Sequence, residues 1–233
     1  MEKKRIWELD FLRGLFILCV IVIHAIFDAR IFLGIRFDTP PIYDFIQLNG
    51  GTLFVIISGI CVTLGHHFVK RGLIVLSAGA LVSAVTYGMY YFQMAGKYII
   101  IYWGVLHLLG TCMLLYGILR KLPTWCLGIL GILLTVAGYW IEQFTVDTWY
   151  LCFIGLLPMG FASSDFFPLL PYLGWFILGI VLGRLLYKDK VSLLPKAPAK
   201  AFPIRAIAFC GRHSLWIYLL HQPIIYGIMM LFL

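Results

Sequence analysis

Apolar residues run along this chain in blocks of about twenty, enough for a helix to cross a hydrocarbon layer, and the blocks are separated by short polar segments. The pattern predicts seven spanning helices: Leu9–Asp28, Leu48–His66, Leu73–Phe92, Ile99–Leu119, Trp125–Ile141, Phe167–Tyr187 and Ile204–Phe232. A further apolar piece, Trp149–Phe161, is short and contains Pro158. Its length suits a re-entrant or interfacial segment over 149–161 better than a crossing.

The first block breaks its own pattern. Between Trp7 and Asp28 it carries Asp10, Arg13, His24 and Asp28. With Arg13 at zero and about 100° per residue, His24 falls near 20° and both aspartates near 60°. All four share one stripe. Ionisable groups cost several kcal/mol in lipid, on the order of 3 by insertion scales, so the stripe must face protein or a wet cavity. Arg13 and His24 lie roughly 16 Å apart along the axis, at about 1.5 Å per residue.

The composition excludes a soluble domain. Hydrophobic residues make up 62% of the 233 residues and charged ones 12%, with a mean hydropathy of +0.98, whereas a soluble surface needs about twice that charge. The net charge of +8 does not indicate nucleic acid, because Lys and Arg gather between the apolar blocks as topology signals do. With a cytoplasmic N-terminus and seven crossings, the inner side receives Lys3, Lys4, Arg5, Lys70, Arg71, Arg120, Lys121, Arg184, Lys188, Lys190, Lys196, Lys200 and Arg205. The outer side holds Arg30, Arg36 and Lys97. A crossing at Trp149 would move the basic stretch from Lys188 to Arg205 outside, against the positive-inside rule.

The expected fold is therefore an all-α polytopic transmembrane helix bundle of about seven spans, N-terminus inside and C-terminus outside. Residues 1–233 form a single membrane domain in this reading, with 188–203 as a basic, proline-rich cytoplasmic linker and Glu142–Asp165 as a partly buried outer cap. The basic start resembles a signal peptide but contains Asp10 and Arg13 and lacks a small-x-small site, so it reads as an uncleaved first span. No internal repeat supports an inverted-repeat transporter. The six cysteines show no metal-ligand spacing and read as small hydrophobes, not disulfides.

Three imidazoles are expected at one level in the outer half: His24, His107 and His221. Trp103, Gly104, Gly110 and Thr111 share the His107 face, small residues beside an aromatic wall. Ser214, Tyr218 and Gln222 lie on the arc of His221, and Pro223 should leave a carbonyl unbonded near Tyr218 or Leu219. Asp28, one turn beyond His24, can orient its imidazole and raise its basicity. Two readings stay open for His107 and His221, packing residue or functional group. They stay open too for Asp10 and Arg13, which either neutralise each other at i, i+3 or bind a ligand. His66 and His67 sit at an inner helix end beside Lys70 and Arg71 and are given no role. Arg212 and His213 suit snorkelling or a phosphate contact. Asn49, Gly50, Gly51, Ser58 and Gly59 give helix 2 a close-packed face. Ser164 or Asp165 can cap helix 6, with Pro168 in its first turn, and Asp165 could alternatively bind a polar acceptor at the outer mouth.

Five blocks in order, RIWELDFLRG with HAIFD, LFVIISGI, GVLHLLG, DFFPLLPYLGWFILG and GRHSLWIYLLHQP, carry a resemblance over nearly the whole chain. They resemble the bacterial branch of the heparan-alpha-glucosaminide N-acetyltransferase catalytic-domain family, within the broader transmembrane acyltransferase superfamily. That superfamily is known for an Arg, ten residues, then a His implicated in acyl transfer, and Arg13 and His24 have that spacing. Lysosomal members use a histidine in the loop after helix 1. The loop Ala29–Gln47 here has none, so the superfamily pattern selects His24.

The resemblance implies a multi-pass enzyme of the bacterial cytoplasmic membrane that moves an acyl group, in particular acetyl, from cytosolic acyl-CoA to a hydroxyl or amine of an extracytoplasmic sugar or glycan. His24 and Asp28 would carry the chemistry, Arg13 and Asp10 would hold the donor, and His107, His221, Gln222, Tyr218 and Asp165 would be acceptor or oxyanion candidates. No metal or haem is expected; the partners are acyl-CoA, a glycan acceptor and membrane lipid, with homo-oligomerisation open. A rival of another class is a proton-coupled transporter of a small polar solute using the His/Asp-lined cavity, which would move solute without an acyl donor. A haem carrier fits less well, since single histidines on three spans do not make the paired ligands of two stacked haems. A purely structural membrane subunit would not explain polar groups gathered on inward stripes.

Overall fold

The computed structural model describes residues 6–35, 38–199 and 201–231. Lys3, Lys4, Arg5, Arg36 and Lys200 of the charge pattern, and Phe232 at the end of the last expected span, lie outside them. The described chain is helical: α1 (Trp7–Phe32), α2 (Pro41–Leu64), α3 (Phe68–Tyr91), a 3₁₀ turn (Lys97–Ile99), α4 (Val105–Leu119), α5 (Thr124–Ile141), α6 (Leu169–Leu186), α7 (Phe202–Arg212) and α8 (Ser214–Met229). Five of these, α1, α2, α3, α5 and α6, are long and apolar enough to cross a membrane, and α4 is a shorter apolar helix. The protein is a multi-pass membrane helix bundle. No helix forms over 149–161, which folds into turns tied to residues 145–146 through the Val146 N–H and the Leu157 carbonyl.

Two contact clusters divide the chain, one of Met1–Ile57 with Tyr187–Leu233 and one of Ser58–Leu186. In the first, α1 lies against α7 and α8. Gly14 and Gly211 make the closest approach: a Cβ at Gly14 would meet the Ile207 carbonyl, and one at Gly211 would meet the Asp10 carbonyl. Small residues at such a crossing let two backbones touch where larger side chains would hold them apart. The start of α1 is fixed from another direction. Glu8, buried on the side of α1 away from the charged stripe, accepts from Ser192 Oγ at 2.9 Å and from the Leu193 N–H at 2.8 Å. The linker between α6 and α7 is thereby tied down at the N-terminal end of α1.

The expected single helix Ile204–Phe232 is two helices. It breaks at His213, whose backbone (φ −105°, ψ 17°) leaves the helical range. Gly211 is pressed against α1, while Arg212 and His213 are exposed and turn back over the Phe209 ring, the guanidinium 5.6 Å and the imidazole 4.4 Å from its centre. The polar run Gly211-Arg212-His213-Ser214 interrupts the apolar pattern at this point and marks the break that the expected single helix passed over.

In the second cluster, α3 packs on α4 and α5 on α6. A Cβ at Gly110 would lie 2.7 Å from the Leu76 amide nitrogen, which makes α3 and α4 touch at backbone distance. Leu108, Cys112, Leu127, Phe176, Ile177 and Ile180 are completely buried. The Arg184 guanidinium donates to the carbonyls of Leu122 at 2.7 Å and Arg120 at 2.9 Å, which closes the α4–α5 turn.

Helix 4 starts at Val105 and not at Ile99, and the residues expected to cap helix 6 explain why. Ser164 Oγ donates to the Ile99 carbonyl and Ser163 Oγ to the Ile100 carbonyl, both at 2.9 Å, while Asp165 accepts from the Val105 N–H at 3.0 Å. These side chains keep residues 100–104 out of the helix and cap α4. Helix α6 instead begins at Leu169, just after Pro168.

Replacing Gly211 with Val should drive a side chain into the α1 backbone and destabilise the protein by about 1–3 kcal/mol, the usual range for overpacking. Thermal unfolding in detergent reads this. Gly88→Ala, where an added Cβ meets nothing within 4 Å, should leave the midpoint unchanged or raise it.

Candidate active site

The polar stripe of α1 faces α7 and α8. At its lower end, Arg13 Nη2 donates to Asp10 Oδ1 at 2.8 Å, with side-chain exposures of 20% and 14%. The pair satisfies the i, i+3 neutralisation open to it from the sequence. It does not use the whole guanidinium: Arg13 Nε is buried and has no hydrogen-bond partner among the described residues. A buried donor without an acceptor is costly, of order 1–3 kcal/mol, unless a ligand or water completes it.

About 16 Å further along the helix, at about 1.5 Å per residue, the second half of the stripe meets α8. Asp28 is 2% exposed. It does not bond His24 directly, as its position one turn away suggested. Gln222 stands between them: its Nε2 donates to Asp28 Oδ2 at 2.8 Å, and its Oε1 faces His24 Nδ1 at 3.0 Å. This order fixes the proton positions. A carboxylate only accepts, so the amide must turn its NH₂ to Asp28 and its oxygen to His24, and that oxygen requires a proton on Nδ1. Neutral His24 therefore keeps its lone pair on Nε2.

His221 lies next to this chain, its ring centre 5.0 Å from that of His24 in an edge-to-face arrangement, and Tyr218 is 5.3 Å from His221. His221 Nδ1 donates to the Tyr218 carbonyl, one of the two that Pro223 was expected to leave unbonded. Its neutral ring likewise carries the lone pair on Nε2.

His107 and Asp165 belong to the other cluster, where both serve the start of α4. The Gly104 N–H donates to His107 Nδ1 at 3.3 Å, and His107 Nε2 faces Ser83 Oγ at 3.4 Å. Ser83 in turn donates to the Ile101 carbonyl. Nδ1 accepts, so Nε2 carries the proton, and both nitrogens are engaged. The Trp103 ring lies 5.3 Å from His107, forming the aromatic wall read from the sequence, and its buried Nε1 has no hydrogen-bond partner among the described residues. Burial pushes the nearby Tyr102 phenol and Cys152 thiol up, so both stay protonated at neutral pH. All six cysteines are free.

Sequence reasoning placed Gln222 among oxyanion donors and gave Glu8 no role. A single helix's periodicity shows which residues share a face, not which residue of a distant helix comes between two of them. Glu8 was missed because it lies about 220° from Arg13, off the stripe; a carboxylate in the first turn of a span was the available signal.

No curated protein and no solved structure matches the chain. One family model does, that described as the catalytic part of heparan-alpha-glucosaminide N-acetyltransferase, and it covers residues 5–223. Nearly the whole chain is matched, with α1 and the His24, Asp28 and Gln222 positions inside the matched range, and the chain belongs to this family of membrane transferases.

Proposed function

We propose that the protein is a membrane acyltransferase of the bacterial cytoplasmic membrane. It moves an acyl group, acetyl in the simplest case, from cytosolic acyl-CoA to a hydroxyl or amine of an extracytoplasmic sugar or glycan. The observation that carries this reading is the chain Asp28–Gln222–His24, which holds one imidazole in a defined tautomer between two membrane helices.

In the proposed reaction, His24 Nε2 takes the proton of the acceptor O–H or N–H as the acceptor atom attacks the thioester carbon. The carbon–sulfur bond then breaks, and the leaving CoA thiolate recovers the proton from the His24 imidazolium. Gln222 keeps Nδ1 protonated throughout, and Asp28 fixes the amide that does so. Attack by His24 itself on the thioester, giving an acyl-imidazole, would use the same nitrogen. Labelled acetyl-CoA separates the two routes by whether label stays on His24. His221 can donate to a developing oxyanion through Nε2 only as the imidazolium, since Nδ1 already holds the proton of its neutral form. The orphaned Nε of Arg13 supports a contact with a polar part of the donor, with Asp10 holding the guanidinium in place.

General-base catalysis contributes about 10²- to 10⁴-fold, so His24→Ala should lower acetyl transfer by that order while the protein still folds. Full transfer by the purified variant would remove His24 from the reaction. Gln222→Leu should lower kcat by less than His24→Ala and leave acyl-CoA affinity unchanged, because it frees the imidazole to adopt either tautomer. A residue that only packs would instead alter the unfolding midpoint and leave the turnover of the folded fraction intact. Arg13→Ala should weaken binding in a calorimetric titration with acyl-CoA; an unaltered titration would exclude it from the donor site.

A further inference from the structure

The turn joining α2 to α3 is tight and rich in imidazole and basic side chains. Leu64 ends α2, Phe68 begins α3, and Gly65, His66 and His67 form the link. A groove of about 520 Å³ opens there, lined by His66, His67, Val69, Lys70, Leu73 and Ile74. Its two walls differ in chemistry. One end carries the imidazoles of His66 and His67 and the ammonium of Lys70. Beside them the Arg71 guanidinium folds back over Gly65, where a Cβ would lie 2.8 Å from Nη1. The other end is apolar: Val69, Leu73 and Ile74 are 49–53% exposed along the outer face of α3.

The cations are not balanced locally. No Asp or Glu occurs in the sequence between Asp44 and Glu142, and neither Lys70 nor Arg71 makes a salt bridge among the described residues. Four basic or imidazole side chains at the end of a membrane helix attract phosphate through fixed charge and N–H donors. A water-soluble phosphate would use only that end of the groove. The exposed apolar wall continues directly from it down the helix, and its natural complement is a molecule carrying an anionic head and a hydrocarbon tail together.

We propose that this groove is a binding site for an anionic phospholipid, with the phosphate held by Lys70, Arg71 and the His66–His67 turn and an acyl chain lying along Val69, Leu73 and Ile74. The site uses none of the residues assigned to acyl transfer. With the N-terminus in the cytoplasm, as the basic residues predict, it opens to the cytoplasmic leaflet, where anionic lipid and positive protein segments meet.

Thermal unfolding of the full-length protein in detergent, with added phosphatidylglycerol or phosphatidylcholine, tests the assignment. Phosphatidylglycerol should raise the midpoint more than phosphatidylcholine does. That excess should vanish in Lys70→Gln/Arg71→Gln and persist in Lys188→Gln/Lys190→Gln, an equal loss of charge elsewhere. Native mass spectrometry of the single variant Lys70→Gln should show fewer retained phosphatidylglycerol molecules than the unaltered protein, a reading independent of stability. Equal stabilisation by the two lipids, an excess that survives Lys70→Gln/Arg71→Gln, or unchanged retention in Lys70→Gln would overturn the proposal. Loss of the excess on adding 3′,5′-adenosine bisphosphate would also overturn it, by assigning the groove to a soluble phosphate.

Discussion

An ionisable side chain placed in hydrocarbon must find a partner or a cavity, and α1 carries four on one stripe within a single span. That requirement fixes what surrounds α1. The stripe faces α7 and α8: Gly14 and Gly211 bring the α1 and α7 backbones into contact, Asp10 is neutralised within α1 by Arg13, and Asp28 is met from α8 by Gln222. Asp28 is buried, and the hydrogen bond it accepts from Gln222 crosses to α8. In the second half of the stripe, close packing and polar satisfaction go together, because α8 must lie against α1 for Gln222 to reach Asp28 and His24.

The three membrane histidines show how the same side chain is assigned different work by what takes its nitrogens. His107 is fixed at both: the Gly104 N–H donates to one, and Ser83 stands against the other. It behaves as part of the helix start it caps. His221 gives one nitrogen to the backbone of its own helix. His24 is linked to a carboxylate, through an amide that dictates where its proton sits. The proposed base is thus distinguished from its neighbours by bonding pattern, not by residue type or depth in the span.

Much of this was legible in the chain, and the remainder was not for identifiable reasons. The angular arithmetic on α1 located the stripe because a helix repeats its own faces. The bundle and most of its helices followed from apolar blocks long enough to cross a bilayer. Three features depended on distant parts of the sequence. Gln222 comes between His24 and Asp28 from about 200 residues away. Asp165 caps α4 and not the helix that follows it, because residues 163–166 lie beside 99–103 in the fold. The contact of Gly211 with α1 beside the break at His213 is visible only once α1 is in place, although the polar run from Gly211 to Ser214 marks the break itself.

Gln222 has a chemical advantage over a direct Asp28–His24 contact. A carboxylate bonded to an imidazole stabilises its cation strongly in a medium of low dielectric, and so favours retaining the proton that the base must later return to the leaving thiolate. An intervening neutral amide transmits the orientation while moving the negative charge one residue further away. The imidazole is held in one tautomer with less bias toward its charged form. For a reaction in which the same nitrogen must accept a proton and then release it, such an arrangement serves both halves of the cycle, whereas an ion pair would favour the first at the expense of the second.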